Sequence, residues 1–217
     1  MRVIPFDSPL VSIEAFHIEA HQTFAAVVER LPGLGRYAVV TNHAKTAIEV
    51  LVLRWSMEEG SAVSRKAMSA VHEGFSNPRY QPVVPPGGQK LVTDAGLLPE
   101  NLPEQFALVG GPSVGVYQTV EIDSAIFDDG SLVGPDRFGV VKHIREQHAV
   151  AEELLAEIDE GLASGRRLEE IISGFEDAPD ERRKGVWRDR LIRNLRRNPS
   201  FLDYLRRQGK LPPNFPS

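Results

Sequence analysis

The sequence predicts an α+β protein, with an N-terminal antiparallel β-sandwich over residues 1–136 followed by a C-terminal helical region of three to four helices over residues 137–217. Two observations lead to this prediction. Up to residue 136, short runs of apolar and β-branched residues are separated by glycine and proline, which is typical of strands and turns. From Phe138 onwards the apolar period changes from two to 3.6 residues, which is typical of amphipathic helices. A chain of 217 residues, 41% of them hydrophobic, can bury a core in each part.

The central feature of the first part is the stretch 37–55, YAVVTNHAKTAIEVLVLRW. Its density of valine and isoleucine favours strands over a helix. The polar residues 42–46 interrupt the apolar run with turn-tolerant side chains. We therefore predict a β-hairpin at the centre of the sandwich, covered on both faces.

Before this hairpin, residues 11–20 alternate like a first strand, with Phe16, Ile18 and Ala20 on one face and His17, Glu19 and His21 on the other. Residues 23–31 fit an extension of that strand, a strand paired with it or a short helix. After the hairpin, residues 58–68 are polar and fit a loop or a single helical turn. Two segments rich in proline and glycine, 77–88 and 96–115, flank a short strand at 89–93 and are the loops where we would first expect a binding surface.

Residues 116–127 form the second strong strand pattern. Its apolar side chains face one way and Thr119, Glu121 and Asp123 face the other; the apolar set is Val116, Val120, Ile122 and Ile126. Asp129-Gly130 is the dipeptide preferred in a type I′ hairpin turn, with residues 131–133 as the return strand.

In the second part, the spacing predicts a long amphipathic helix from about Val140 to Gly165, a shorter one over 168–175, and a third whose buried stripe begins at Trp187. Asn198-Pro199 begins a fourth. Charge is segregated along this region. Residues 146–181 contain twelve acidic residues and two basic ones, whereas residues 182–210 contain eleven basic residues and two acidic ones.

This segregation has two interpretations. The acidic early helices could pack beside the basic late ones within the chain, which is the usual outcome for charged runs. Alternatively, a basic helical face could bind an outside partner, and its residues would be Arg190, Arg193, Arg196 and Arg197. Nucleic acid is an improbable partner because aromatic stacking residues are not interleaved with these arginines and the net charge of the chain is −5.

Two groups of residues have the chemistry of a metal site. His17, Glu19 and His21 would lie on one strand face, although splayed. Glu121, Asp123 and Asp129 could supply oxygens to calcium, or an acid–base pair for glycoside hydrolysis. Exposed strand faces and an ordinary turn explain both groups without a metal, and we therefore expect neither metal nor cofactor.

Other motifs are excluded by their context. Residues 33–38 match a dinucleotide-binding glycine pattern by letter, but a strand follows instead of a helix. Ser113 is not in a nucleophile elbow. The chain contains no cysteine, which excludes disulfides and thiolate metal sites. No run of about 18 apolar residues predicts a membrane span.

The central hairpin, the Pro85-Pro86-Gly87-Gly88 segment leading into a strand, and the sequence SAIFDDGSLVG together resemble an uncharacterised kind of bacterial immunoglobulin-like β-sandwich domain over residues 36–134. The resemblance implies an immunoglobulin-like fold and a role in adhesion, assembly or scaffolding. It covers about half of the chain, and no functional residue can be transferred from it.

We therefore predict a non-enzymatic interaction or scaffolding protein that associates with a protein partner or with itself through the helical region. The alternatives are a metal- or carbohydrate-associated hydrolase using the carboxylates near 121–129, and a regulatory module that binds an acidic partner through its basic C-terminal helices. As written, the chain is expected to be soluble and cytoplasmic, or exported if an upstream signal was removed.

Overall fold

The computed structural model describes residues 2–30, 37–57, 66–73, 82–93, 96–97, 119–175, 182–208 and 210–216. Described residues up to Glu73, together with those between Pro82 and Phe138, form one compact unit, which we call the β unit. Those from Gly139 onwards form a second, the helical unit. The mixed α+β class is confirmed. The prediction of two separate domains, 1–136 and 137–217, stays a prediction.

The β unit contains two sheets among its described residues. The strands are β1 (Arg2–Val3), β2 (Val11–Ala15), β3 (Tyr37–Asn42), β4 (Ile48–Met57), β5 (Lys66–Glu73), β6 (Gln89–Thr93), β7 (Gly96–Leu97), β8 (Thr119–Phe127) and β9 (Leu132–Val133). One sheet has the order β1-β8-β4-β5, with β9 also paired to β8, and the other has the order β2-β3-β6-β7. All pairs are antiparallel except β1 with β8. One hydrophobic cluster contains residues of both sheets, among them Val40, Leu53 and Ile122.

The predicted central hairpin is wrong in its pairing. β3 and β4 lie where strands were expected, but β3 pairs with β2 and β6, whereas β4 pairs with β5 and β8. The cause is the buried side chain of Asn42, whose Nδ2 lies 2.8 Å from the Thr46 carbonyl oxygen and 3.1 Å from those of Val84 and Pro85. These bonds hold the connection 43–47 in a shape that takes the chain from one sheet to the other.

Three local predictions also differ from the structure. The first strand ends at Ala15 and not at residue 20. Of the three alternatives for residues 23–31 the short helix is the one present, as α1 (Ala25–Arg30), and a 3₁₀ turn (Gln22–Phe24) precedes it. β5 includes residues 66–68, where a loop or a helical turn was expected. In the turn after β8 only Gly130 has a positive φ, 87°, so the turn is not type I′. Its three residues, 128–130, fit a type I turn followed by a left-handed glycine.

β8 also departs from simple alternation, because Val52 pairs with Ser124 whereas the next residue, Leu53, pairs with Ile122. Asp123 is therefore an extra residue, a β-bulge. After the bulge, the residues of β8 that face the other sheet are shifted by one position. Ala125 and Phe127 therefore join the inter-sheet cluster with Ile122, whereas the prediction placed Ile126 on that side. A second bulge on β4 leaves Glu49 as the extra residue between Ile48 and Val50.

The described part of the helical unit contains α2 (Val140–Ala163), α3 (Leu168–Gly174), α4 (Arg182–Arg197) and α5 (Phe201–Gln208). Leu154, Ile158, Leu191, Leu195 and Leu205 are central members of its own core. α2 ends at a left-handed Gly165, φ 84°, which is a common helix stop. None of the described helices is long and apolar enough to cross a membrane.

Candidate interaction surface

The predicted set of His17, Glu19 and His21 does not converge in the structure. Because β2 ends at Ala15, these residues lie in the turn that follows, where His17 and Glu19 are exposed. His21 is buried; its Nδ1 lies 3.1 Å from the backbone nitrogen and 3.0 Å from the backbone oxygen of His17, and its Nε2 lies 3.1 Å from Glu14 Oε1. The role of His21 is to close this turn, and the strand-face geometry assumed for a metal does not exist.

Glu121 lies on β8 between two arginines. Its Oε1 accepts hydrogen bonds from Arg54 Nη1 at 2.7 Å and from Arg137 Nη1 at 3.2 Å. Arg54 is its cross-strand neighbour on β4, so the first pair follows from the register of the sheet. Both guanidinium groups pair with the Glu121 carboxylate, which would otherwise have to bind the metal or the substrate.

Asp123, the bulged residue of β8, is fully buried, and neither of its carboxylate oxygens has a hydrogen-bond partner of good geometry among the residues that the structure describes. Arg137 Nη1 lies 4.0 Å from its Oδ1. Burial raises the pKa of the Asp123 carboxyl, while Arg137 and the nearby backbone amides of residues 137 and 138 oppose the rise and Asp136 adds to it. A carboxyl so enclosed can brace the segment 134–138, but it is not accessible to a substrate in solution.

Asp128 and Asp129 serve the turn between β8 and β9. The Asp129 Oδ1 atom accepts hydrogen bonds from the backbone nitrogen of Ser131 at 2.9 Å and from its hydroxyl at 2.6 Å, and these bonds lower the pKa of the carboxyl. Asp128 Oδ2 accepts a bond from the Ala47 nitrogen at 3.3 Å. Within the ranges that the structure describes, no group of three or more His, Cys, Asp or Glu residues could hold a metal ion.

The four predicted partner-binding arginines lie together on α4. Arg190, Arg193, Arg196 and Arg197 are all exposed, and we call them the arginine face. The helix buries Leu191, Ile192 and Leu195 on its other side, so the arginine face points away from the core of the helical unit.

Two of these arginines are ordered by local contacts. The Arg190 guanidinium lies 5.5 Å from the ring centroid of Trp187, one turn earlier, a cation–π distance. Arg193 Nε donates to the Asp189 carbonyl oxygen at 3.2 Å. Trp187 is half-buried and packs its ring edge-on against His143, 5.0 Å between centroids. The aromatic–arginine spacing of three residues is the sequence signal that could have identified Trp187 as part of this surface.

Other arginines of the basic segment are used inside the unit. Arg188 binds Glu157 of α2 with both nitrogens, at 2.9 and 2.6 Å, and its guanidinium stacks 5.0 Å from the Phe175 centroid. Arg206 of α5 pairs with Asp159 of α2. The acidic and basic segments therefore do pair where these helices meet, as one of the two interpretations expected.

The predicted loop surfaces, 77–88 and 96–115, lie mostly outside the described residues. Comparisons with protein-family models, curated proteins and solved structures found no match for this chain.

Proposed function

We propose that this protein is a non-enzymatic interaction protein that binds an acidic protein surface through the arginine face of α4. The observation that carries the proposal is the position of the four arginines on the outer side of α4, with only Asp189 as an acidic residue among them. Neighbouring arginines of the same basic segment are already neutralised by carboxylates of α2. Within the arginine face, Arg190, Arg193 and Arg197 are the residues on which the proposal depends, and all three are exposed.

Arginine suits such a surface because its planar guanidinium binds carboxylates through two hydrogen bonds at once and is only weakly hydrated. Exposed ion pairs contribute about 0.2–1 kcal/mol each, so the arginines would set orientation and association rate more than affinity. Affinity needs an apolar anchor as well. The half-buried Trp187, with Arg190 over its ring, is of the residue type most often found as such an anchor.

The β unit would be the scaffold that presents the helical unit, and its two sheets support an immunoglobulin-like sandwich. In that fold strands A, B and E share one sheet and strands C, F and G the other. β2, β3 and β6 have the first arrangement, and β4, β8 and β9 the second. Trp55 is fully buried on β4, as the tryptophan of strand C is. The parallel β1–β8 pair departs from this pattern, and a crystal structure in which β3 paired with β4 would contradict it.

The proposal is tested with the full chain and a polyglutamate peptide as the acidic probe. The arginine-face variant, Arg190→Glu/Arg193→Glu/Arg197→Glu, should bind the peptide at least about tenfold more weakly than the parent, because three cations are lost from one surface. The control variant, Lys45→Glu/Lys142→Glu/Lys210→Glu, changes the net charge equally at three other exposed positions and should bind within about twofold of the parent.

An equal loss in both variants would show that net charge alone matters, and would overturn the proposal. Tighter binding of a DNA or RNA duplex than of polyglutamate would replace the protein partner by nucleic acid. Circular dichroism of each variant confirms that the helices remain folded.

A further inference from the structure

A row of four side chains runs along the outer side of α4. Its members follow one another at intervals of three, three and four residues and are Trp187, Arg190, Arg193 and Arg197; we call them the Trp–Arg row. Residues three and four apart lie on one side of an α-helix, so the row is continuous over about 15 Å. The three arginines are exposed and Trp187 is half-buried, so the row presents an aromatic ring at one end and guanidinium groups along the rest.

The three arginines of the row have no acidic partner in the part of the chain that the structure describes. Arg190 lies over the Trp187 ring, and Arg193 Nε donates to a carbonyl oxygen of its own helix. No described carboxylate forms an ion pair with either of them or with Arg197. The row therefore keeps three guanidinium groups that can bind carboxylates of another molecule.

Another side of α4 shows what kind of element pairs with its arginines. Arg188 binds both carboxylate oxygens of Glu157, which lies on helix α2. The same helix presents Asp159 to Arg206 of α5. In these two pairs the carboxylate lies on a helix that packs beside the basic one, so an acidic helix against the Trp–Arg row would repeat an arrangement that this unit already contains.

The spacing of the row also favours a helical partner. Successive arginines are about 4.5 and 6 Å apart along the axis of α4, because each residue of a helix rises 1.5 Å. Carboxylates three and four residues apart on a partner helix follow the same steps, so that one carboxylate can reach each arginine. In an extended chain, side chains on one side are about 6.5–7 Å apart and do not keep step with the row.

We infer that the acidic partner of this protein is an amphipathic helix that carries carboxylates at three- and four-residue spacing and, one turn beyond them, an apolar side chain that packs on Trp187. This inference rests on the proposed function and names the class of its partner. The Trp187 ring is held in place by the Arg190 guanidinium, 5.5 Å from its centroid, and by the edge-on ring of His143, 5.0 Å between centroids. A ring fixed in this way loses little conformational freedom on binding, so it can anchor the apolar side chain.

The test compares two synthetic peptides of the same composition, titrated into the full chain by calorimetry. The matched peptide is an alanine-based helix with glutamates at three- and four-residue spacing and a leucine one turn beyond each end, so that it can bind in either direction. The scrambled peptide distributes the same residues around the helix, and circular dichroism confirms that the two are equally helical. The matched peptide should bind at least about tenfold more tightly, because only it can pair every arginine of the row and contact Trp187 at once.

Two comparisons locate the contact on the row. The arginine-face variant should lose the preference for the matched peptide, whereas the control variant should keep it. Binding should also shift the tryptophan emission of the parent chain, and the shift reports Trp187 because the other tryptophan, Trp55, is fully buried in the β unit. A matched peptide with alanine in place of its leucines should bind more weakly and leave the emission unchanged.

Equal binding of the matched and scrambled peptides would overturn the inference. An emission spectrum that did not change with the matched peptide would do the same, because Trp187 would then lie outside the contact. If polyglutamate binding still depended on the arginine face in either case, the proposed function would survive with an acidic partner that is not a helix of this pattern. If that dependence were absent, the proposed function itself would be overturned.

Discussion

The two units of this protein treat charged side chains in opposite ways. In the β unit, an acidic residue lies at each of the two bulges: Asp123 is fully buried at one, and Glu49 is half-buried at the other. In the helical unit, Glu157 and Asp159 are exposed and pair with Arg188 and Arg206 of neighbouring helices, and the residues of the arginine face are exposed as well.

Buried charge mainly affects the stability of the fold, whereas exposed charge is available for binding. Enclosing a carboxyl lowers stability unless partners compensate it, so the bulged acids are maintained at a cost by the packing around them. Exposed pairs change stability by about 0.2–1 kcal/mol, and charge at the surface can therefore be arranged for binding with little effect on folding. Substitutions in the β unit should change stability, whereas charge reversals on the helical unit should change association.

The largest loss of stability is expected at Gly134, where the backbone lies against the bulge at Asp123. Gly134 has a φ of +102°, and a Cβ placed there would lie 2.2 Å from the backbone oxygen of Asp123. Gly134→Ala would force both the strained φ and the movement of β8, and should lower the free energy of unfolding by at least about 3 kcal/mol. Urea denaturation followed by tryptophan fluorescence measures the loss.

The matched control is Gly87→Ala in the same unit, where φ is +66° and no atom lies within 4 Å of the added Cβ. It should cost about 1 kcal/mol, the conformational penalty alone. If the two variants lost equal stability, close contact between residue 134 and the bulge would not be what constrains the glycine.

The bulges also mark the limit of what the sequence could predict. Both central strands were predicted from their β-branched residues, and the helices from the period of Leu154, Ile158 and their neighbours, because these signals are local. The separation of β3 from β4 depends on Asn42 bonding to Val84 and Pro85, more than forty residues away, which no local pattern carries. An extra residue in a strand likewise leaves no mark on composition.

Only part of the candidate surface could be predicted from the sequence, because local patterns do not show contacts between distant residues. The arginines could be identified from charge segregation, and the period of α4 places them on its outer side. Which basic residues are neutralised could not be identified, because Arg188 and Arg206 find their carboxylates thirty-one and forty-seven residues away on α2. The internal role of Arg188 and Arg206 could therefore be assigned only from the structure.

An intermediate loss of stability is expected when the pH is raised, because of Glu49 in the β unit. Burial, followed by repulsion from Asp128, raises the pKa of Glu49 from 4.5 to about 7. Because the folded chain holds this proton more tightly than the unfolded chain, the stability from Glu49 is complete below pH 4.5 and is lost as the pH rises through about 7. The loss should be about 1–2 kcal/mol, less than the full shift implies, because solvent reaches the half-buried side chain.

Glu49→Gln should remove this loss, so that its free energy of unfolding falls less between pH 4.5 and pH 8 than that of the parent. Urea midpoints at both pH values measure the difference. Asp129→Asn is the contrasting variant, because hydrogen bonds from Ser131 lower the pKa of Asp129, and its stabilisation is present above pH 3.8 and lost as the pH falls. A parent and Glu49→Gln with parallel pH profiles would show that Glu49 ionises normally in the folded chain.

The smallest effect is expected at the boundary between α2 and α4. A double-mutant cycle with Arg188→Ala and Glu157→Ala should give a coupling free energy of about 0.5–1 kcal/mol, at the upper end for exposed pairs because the contact uses two hydrogen bonds. Arg188→Ala alone should cost more than Glu157→Ala, since the arginine also stacks on Phe175. A coupling above about 2 kcal/mol would mean that this pair is insulated from solvent as Asp123 is. The contrast between a β unit that encloses its charges and a helical unit that displays them would then no longer hold at this boundary.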